Sequence, residues 1–162
     1  MTAQIHERLI INGHEKTMMT CPWLPEGHPR LIEVDIYHRE NVAVESFLFT
    51  TACWRRYQGT WEIREGKFYL IGLRGRFQLQ GEDPLFADWY SGMLRIPRGE
   101  ILQYVHMGFE SVFAEEVYVD IANGEVVSMR LVENRGKPHD EWGKWWNFPP
   151  VDEIHFLGDF EL

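Results

Sequence analysis

Asp88-Trp89-Tyr90-Ser91-Gly92 and His106 carry the residue types of a general acid–base pair, an aspartate just outside a strand and a histidine beyond the same stretch. With a hairpin turn near Pro97-Arg98, Asp88 would pair nearer Met107 to Phe109, so Asp88 and His106 are expected as diagonal neighbours at most. The simpler role for such an aspartate is to cap the amides of a turn, and for such a histidine to fill a hydrogen-bonded structural position. A second grouping, Trp54-Arg55-Arg56-Tyr57, suits recognition, because aromatic and arginine side chains dominate binding hot spots and arginine both stacks and pairs bidentately. In the competing reading Trp54 is a core residue and the two arginines pair with the acidic tail. His6, His14, His28, His38, His106, His139 and His155 are scattered without the spacing of a zinc site. A glycine-rich phosphate loop and a Gly-x-Ser-x-Gly elbow are both missing, so neither a metal nor a cofactor is expected.

Charge narrows the partners. The chain has 162 residues, a net charge of −9 and a pI of about 5.2, which disfavours nucleic acid and anionic membranes. Between Cys53 and Arg76 lie Arg55, Arg56, Arg64, Lys67, Arg74 and Arg76 against only Glu62 and Glu65. From Glu133 onward the balance reverses, with Asp140, Glu141, Asp152, Glu153, Asp159 and Glu161 opposed by Arg135, Lys137 and Lys144. A basic middle and an acidic tail can attract each other within the fold or face different partners. For a basic protein partner the candidate contacts are Asp152, Glu153, Asp159 and Glu161, with Glu115 and Glu116. Cys21 and Cys53 form neither a metal knuckle nor a CxxC motif. Met1 to Leu9 lacks the order of a signal peptide and no apolar run approaches a membrane span, so a cytoplasmic protein with reduced thiols is expected.

The elements that must position these residues read as strands. Gly59 to Phe68 and Gly92 to Ile101 follow one template: a glycine, large apolar residues two and four places later, a second glycine seven places on, then a charged and an apolar residue. Alternation places Trp61 with Ile63, and Leu94 with Ile96, on one face, and each stretch is expected to form a β-hairpin. Val117 to Val126 is a looser copy in which Asn123-Gly124 is expected to turn tightly, and Ile10-Ile11-Asn12-Gly13 is a worn one with Lys16 to Thr20 as its return strand. Trp61, Ile63, Leu94, Ile96, Val119 and Ile121 share a phase and are expected to face one core. Three prolines make Cys21 to Arg30 a loop. Leu31 to Ile36 is expected as a strand with Ile32, Val34 and Ile36 on one face, and Asn41 to Ala52 as a further strand. Glu100 to Val105 is taken as strand over a short helix. After Asn134 the pattern dissolves into a tail anchored by Trp142, Trp145 and Trp146. Gly59-Thr60-Trp61 also resembles the Gly-x-Trp of lipocalin-like barrels, although a turn glycine before a core tryptophan explains it as well.

These readings add up to a single mainly-β domain over residues 1–162. They describe an antiparallel meander of hairpins over about 31–134, curved or partly closed into a barrel, and an irregular aromatic-rich appendage over about 135–162. The run Leu85 to Phe109 resembles the signature of a family of small uncharacterised bacterial cytosolic proteins, over roughly Cys53 to Asn134, and carries no catalytic assignment. In general character the chain is similar to immunity proteins of bacterial toxin systems. The resemblance implies a protein-binding module that neutralises a basic toxin domain. The alternative is a small-molecule-binding or enzymatic β-barrel whose aromatic-lined pocket uses Asp88, Trp89, Tyr90 and His106. A filled core favours the first, and a cavity on which Asp88, His106 and arginines converge favours the second.

Overall fold

The structure, a computed structural model, describes residues 2–35 and 50–151. Among the described residues ten strands run in order: β1 Glu7–Ile11, β2 His14–Met18, β3 Leu31–Glu33, β4 Tyr57–Arg64, β5 Lys67–Gly75, β6 Phe77–Leu79, β7 Leu85–Phe86, β8 Gly92–Gln103, β9 Val112–Ala122 and β10 Glu125–Glu133. There is no α-helix among the described residues, and no helix long and apolar enough to cross a membrane.

Three strand pairs turn back on two residues each. Asn12-Gly13, Glu65-Gly66 and Asn123-Gly124 all hold both residues at positive φ, between 49° and 81°. That geometry matches the twist of the strands it joins. Ile11 therefore pairs with His14, Arg64 with Lys67, and Ala122 with Glu125. The expected hairpins at Gly59 to Phe68 and Val117 to Val126 form, and the worn copy at Asn12-Gly13 forms too.

Gly92 to Ile101 does not turn. It is one long strand, β8, paired with β9 along its length. Gly99 has φ 78°, whereas Arg98 is absent from the positive-φ residues, so only one of the two residues a tight turn requires is in place. One left-handed glycine makes a bulge instead. The register slips between Arg98 and Ile101, where β8 holds one residue more than β9. Leu94 and Ile96 lie before the bulge and keep their inward phase.

The main sheet has the order β2-β1-β4-β5-β10-β9-β8, with β7 on β5, while β3 and β6 form a separate ribbon. It is not the purely antiparallel meander expected, because β1 and β4 pair in parallel, Arg8 beside Thr60 and Ile11 beside Ile63. A parallel pair needs a long crossover, and residues 19–56 supply it. Strands β5 and β10 meet at one corner, Lys67 opposite Glu125, beyond which Tyr69 and Leu70 pair with β7. Among the described residues the sheet does not close into a barrel. Strand β3 ends at Glu33, earlier than expected, with Ile32 38% exposed while Leu31 packs on the core. Ile36 and most of the strand expected over Asn41 to Ala52 lie outside the described residues.

Trp61 is fully buried and stacks on Phe68 with ring centroids 4.9 Å apart. Around it pack Leu9, Ile11, Ile63, Leu70, Leu94, Ile96, Val119 and Ile121, so the six residues of the shared phase do face one core. The appendage is anchored by two of its tryptophans. Trp142 donates its indole N–H to the Asn134 and Lys137 carbonyls, and Arg130 lies over the Trp145 ring.

Candidate functional site

Alternation along β1 gives Glu7, Leu9 and Ile11 one inward face, which places a carboxylate in the core. Glu7 is fully buried, and every acceptor direction is used. One oxygen takes the Arg55 guanidinium at 2.5 Å and 3.1 Å; the other accepts from the Gly59 amide at 2.8 Å and the Trp61 indole at 2.9 Å. Gly59 is thus no turn residue. A Cβ there would lie 2.3 Å from the Glu7 oxygen, so the strand needs glycine for the carboxylate to approach. Arg55 also donates to the Ile5 carbonyl, fastening the segment before β4 to the start of β1.

A second pair lies on the other face of the sheet. Glu116 alternates away from Val117, Val119 and Ile121, yet it is fully buried. Arg95 meets its two oxygens at 2.6 Å each, and Tyr118 donates its hydroxyl to the same carboxylate. The rest of the Arg95 guanidinium donates to the Phe109 and Ser111 carbonyls, which draws the loop after β8 across this face. In both arginines burial works against the charge and the glutamate outweighs it, so their pKa values end above the ordinary one. Burial, followed by the charge of Glu116, pushes Tyr118 up to about 12. Between the pairs sits His6, its ring 5.9 Å from Phe109 and 6.5 Å from Phe113. Burial first, then the charges of Arg95 and Arg55, hold His6 below its ordinary range.

These pins bring two loops to one end of the molecule. Gln4 joins them: its amide donates to the Gly108 carbonyl, its side chain donates to the Thr51 carbonyl and accepts from the Trp54 amide. On the loops and the adjoining end of β8 stand large exposed side chains, Trp54 at 49%, Ile101 at 51%, Tyr104 at 61% and Met107 at 39%.

The residues nominated by sequence are dispersed. Trp54 is exposed, but Arg55 is inside with Glu7, and Arg56 donates to the Thr50 carbonyl. Glu116 is inside with Arg95, while Glu115 is mostly covered and reaches Arg98 at 3.1 Å and Arg135 at 3.9 Å. Arg55 is thus met by Glu7 and not by the acidic tail, Arg64 by Glu62, Arg76 by Glu33, and Arg74 by the Gln58 side-chain oxygen. Asp152, Glu153, Asp159 and Glu161 lie outside the described residues. Trp89 and Tyr90 belong to the opposite end. There Tyr90 packs on Phe68 and Trp23, and Trp89 donates to the Trp23 carbonyl. Burial, then Cys21, pushes Tyr90 up to about 12. Asp88 is exposed beside them, and His106 bonds the Tyr104 hydroxyl at 2.9 Å beyond the far end of β8. With β8 unbent by any turn, strand on the order of 35 Å long separates Asp88 from His106. Among the described residues no three His, Cys, Asp or Glu side chains gather as metal ligands.

The two buried pairs escaped sequence reasoning. Their one signal is a charged residue, Glu7, at a position that alternation with Leu9 and Ile11 marks as inward. No protein-family model, curated protein or solved structure matches the chain.

Proposed function

We propose that the chain is a protein-binding module that engages its partner through the end carrying Trp54, Ile101, Tyr104 and Met107. The observation that supports this reading is the exposure of four large side chains at the end where buried ion pairs hold the loops in place. Aromatic and apolar side chains presented on pre-ordered loops bind with little ordering cost, and contacts of this type dominate interface energetics. The packing of Trp61 on Phe68 and of Phe68 on Tyr90 supports the same reading, since these rings meet one another in the core. The alternative pocket has less to support it, because Tyr90 is a core residue and Asp88 and His106 stand at opposite ends.

The partner class follows from charge and general character: a basic protein, most concretely a bacterial toxin domain that this chain neutralises as an immunity protein. A net charge of −9 steers a basic partner into encounter, and the exposed aromatic end then sets the dissociation rate. Stopped-flow association and dissociation with a toxin domain taken from a gene neighbouring this one tests the proposal, and the absence of any such neighbour would also reject the toxin-immunity reading. Trp54→Ala combined with Tyr104→Ala should raise the dissociation rate about tenfold or more and leave association little changed. Equal dissociation rates for the folded double variant and the parent would reject this end as the interface. Failure of the parent to bind at all would reject the toxin-immunity reading.

A further inference from the structure

The two edge strands of the main sheet, β2 and β8, touch at one point. The Met19 amide donates to the Arg95 carbonyl at 2.7 Å, and the Arg95 amide donates to the Thr20 hydroxyl at 2.8 Å. Continued antiparallel from that point, the register sets Thr17 opposite Pro97 and Glu15 opposite Gly99. Pro97 has no amide hydrogen to offer a ladder, and Gly99 then bulges β8 with φ 78°. The edges part there and leave a groove of about 370 Å³, with Glu15 and Thr17 on one side, Pro97 and Gly99 on the other, and Phe113 as an apolar wall.

The charges around this groove are matched within the fold. Arg98 pairs with Glu115 at 3.1 Å, Glu15 pairs with Arg8 at 2.6 Å, and Lys16 is engaged as well. What the groove leaves unmatched is backbone. A two-residue turn closes on a pair that exchanges both of its bonds, so Ile11 bonds His14, Leu9 bonds Lys16 and Glu7 bonds Met18. The residues between, Glu15 and Thr17, therefore turn amide and carbonyl away from β1, to the side on which Met19 reaches Arg95. Both are exposed, and among the described residues no backbone group meets theirs on that side. Pro97, two places after Arg95, turns its carbonyl into the same groove.

We infer that the groove between β2 and β8 receives an extended segment of a protein partner, added as a strand along the outer edge of β2. A polypeptide in the β conformation offers a donor and an acceptor at every second residue, about 7 Å apart, which is the repeat that Glu15 and Thr17 present. The Pro97 carbonyl accepts from the other edge of the segment, and the segment's side chain beside Phe113 is apolar. The groove leads to the exposed end, since β8 continues from Gly99 to Ile101 and Tyr104 follows it. This inference rests on the protein-binding reading and names how one part of the partner is held.

Amide hydrogen exchange of the full chain, read by NMR at each residue, tests it with the acetylated and amidated peptide Thr-Val-Thr-Val-Thr as probe. The same peptide N-methylated at every residue is the control. In the chain alone, the Glu15 and Thr17 amides should exchange faster than those of Lys16 and Met18, which β1 holds. Peptide at about ten times its dissociation constant should slow Glu15 and Thr17 about tenfold, and the methylated control should not. Thr17→Pro removes one donor on the side away from β1 and should weaken peptide binding about fivefold; the methylated control decides should that variant not fold. Slowing by both peptides or by neither would overturn the proposal, as would unchanged affinity in a folded Thr17→Pro chain. Protection of Glu15 and Thr17 that grows with protein concentration alone would assign the edge to a second copy, and would overturn it too. The probe is not the partner, so a failure here leaves the interface at Trp54 and Tyr104 standing, and a failure of the stopped-flow test leaves the peptide result standing.

Discussion

Three strand pairs turn back on Asn12-Gly13, Glu65-Gly66 and Asn123-Gly124 at one end of the sheet, and where the last two turns meet, the rings of Phe68 and Tyr90 pack together. At the other end the chain leaves the sheet in long loops, and two buried arginine–glutamate pairs hold those loops down. At the first end the turns themselves are built from neighbours in sequence, and the rings beside them are joined across 66 positions by the bond from Trp89 to the Trp23 carbonyl. The second depends on residues far apart, 48 positions between Arg55 and Glu7 and 21 between Arg95 and Glu116. A turn made of two residues has little room to vary, whereas loops fastened by ion pairs can present side chains such as Trp54 and Tyr104 to a partner. Trp54, Ile101, Tyr104 and Met107 stand exposed at the ion-paired end, and Trp23 alone of the rings beside Tyr90 is more than half exposed at the turn end.

The largest effect on this contrast should come from breaking an anchor. Glu116→Ala leaves the Arg95 charge buried without its carboxylate and should cost about 3–5 kcal/mol in urea unfolding. Replacing both partners with apolar residues should cost less than that single change. A loss below about 1 kcal/mol for Glu116→Ala would show that water reaches Arg95 and that the pair does not hold the loop.

Trp61→Ala joins the two ends, because Trp61 fills the core and donates to Glu7. It should also cost about 3–5 kcal/mol. A loss below about 1 kcal/mol would contradict its place in the core.

At the turn end, substitutions of two glycines with nearly equal φ separate strain from contact. Gly13 has open space around its missing Cβ, whereas a Cβ on Gly124 would lie 2.7 Å from the Ala87 carbonyl oxygen. Gly13→Ala should cost roughly 1 kcal/mol from positive φ alone. Gly124→Ala should cost clearly more, since its clash is with backbone. Equal losses in thermal unfolding would remove the close approach of the Asn123-Gly124 turn to Ala87.

The smallest effect is that of pH at His6. Its folded pKa is lowered while the unfolded value is about 6.5, so below that value the unfolded chain binds the proton more readily. The contribution of neutral His6 is therefore whole above about pH 6.5 and is lost as pH falls through that value toward the lower folded pKa. Urea midpoints measured from pH 7.5 to 5.5 should decline less steeply in His6→Gln than in the parent. Identical slopes would place His6 in contact with solvent.

The contrast also marks where reading the sequence succeeds. Asn123-Gly124 between apolar runs announces its turn because both residues tolerate positive φ, and no distant residue is needed for that. The same glycine template misleads at Gly99, where Arg98 does not adopt the second positive φ and the chain continues as strand. Glu116 read as a surface contact because alternation sets it opposite Val117 and Val119. Only the loop drawn across that face by Arg95 turns a solvent position into a buried one.

From its sequence alone this protein is β-rich, its hairpin turns fall at three of the templated sites, and Trp61, Ile63, Leu94, Ile96, Val119 and Ile121 share a core, since period-two alternation and turn chemistry act over a few neighbours. The tertiary structure decided the parallel pairing of β1 with β4, the partners of Arg55 and Arg95, the separation of Asp88 from His106, and the groove where β2 parts from β8. Each of these depends on a crossover or an edge-to-edge approach spanning tens of residues. A local pattern carries no record of which distant strand will arrive beside it, because that choice is made by the packing of the whole sheet.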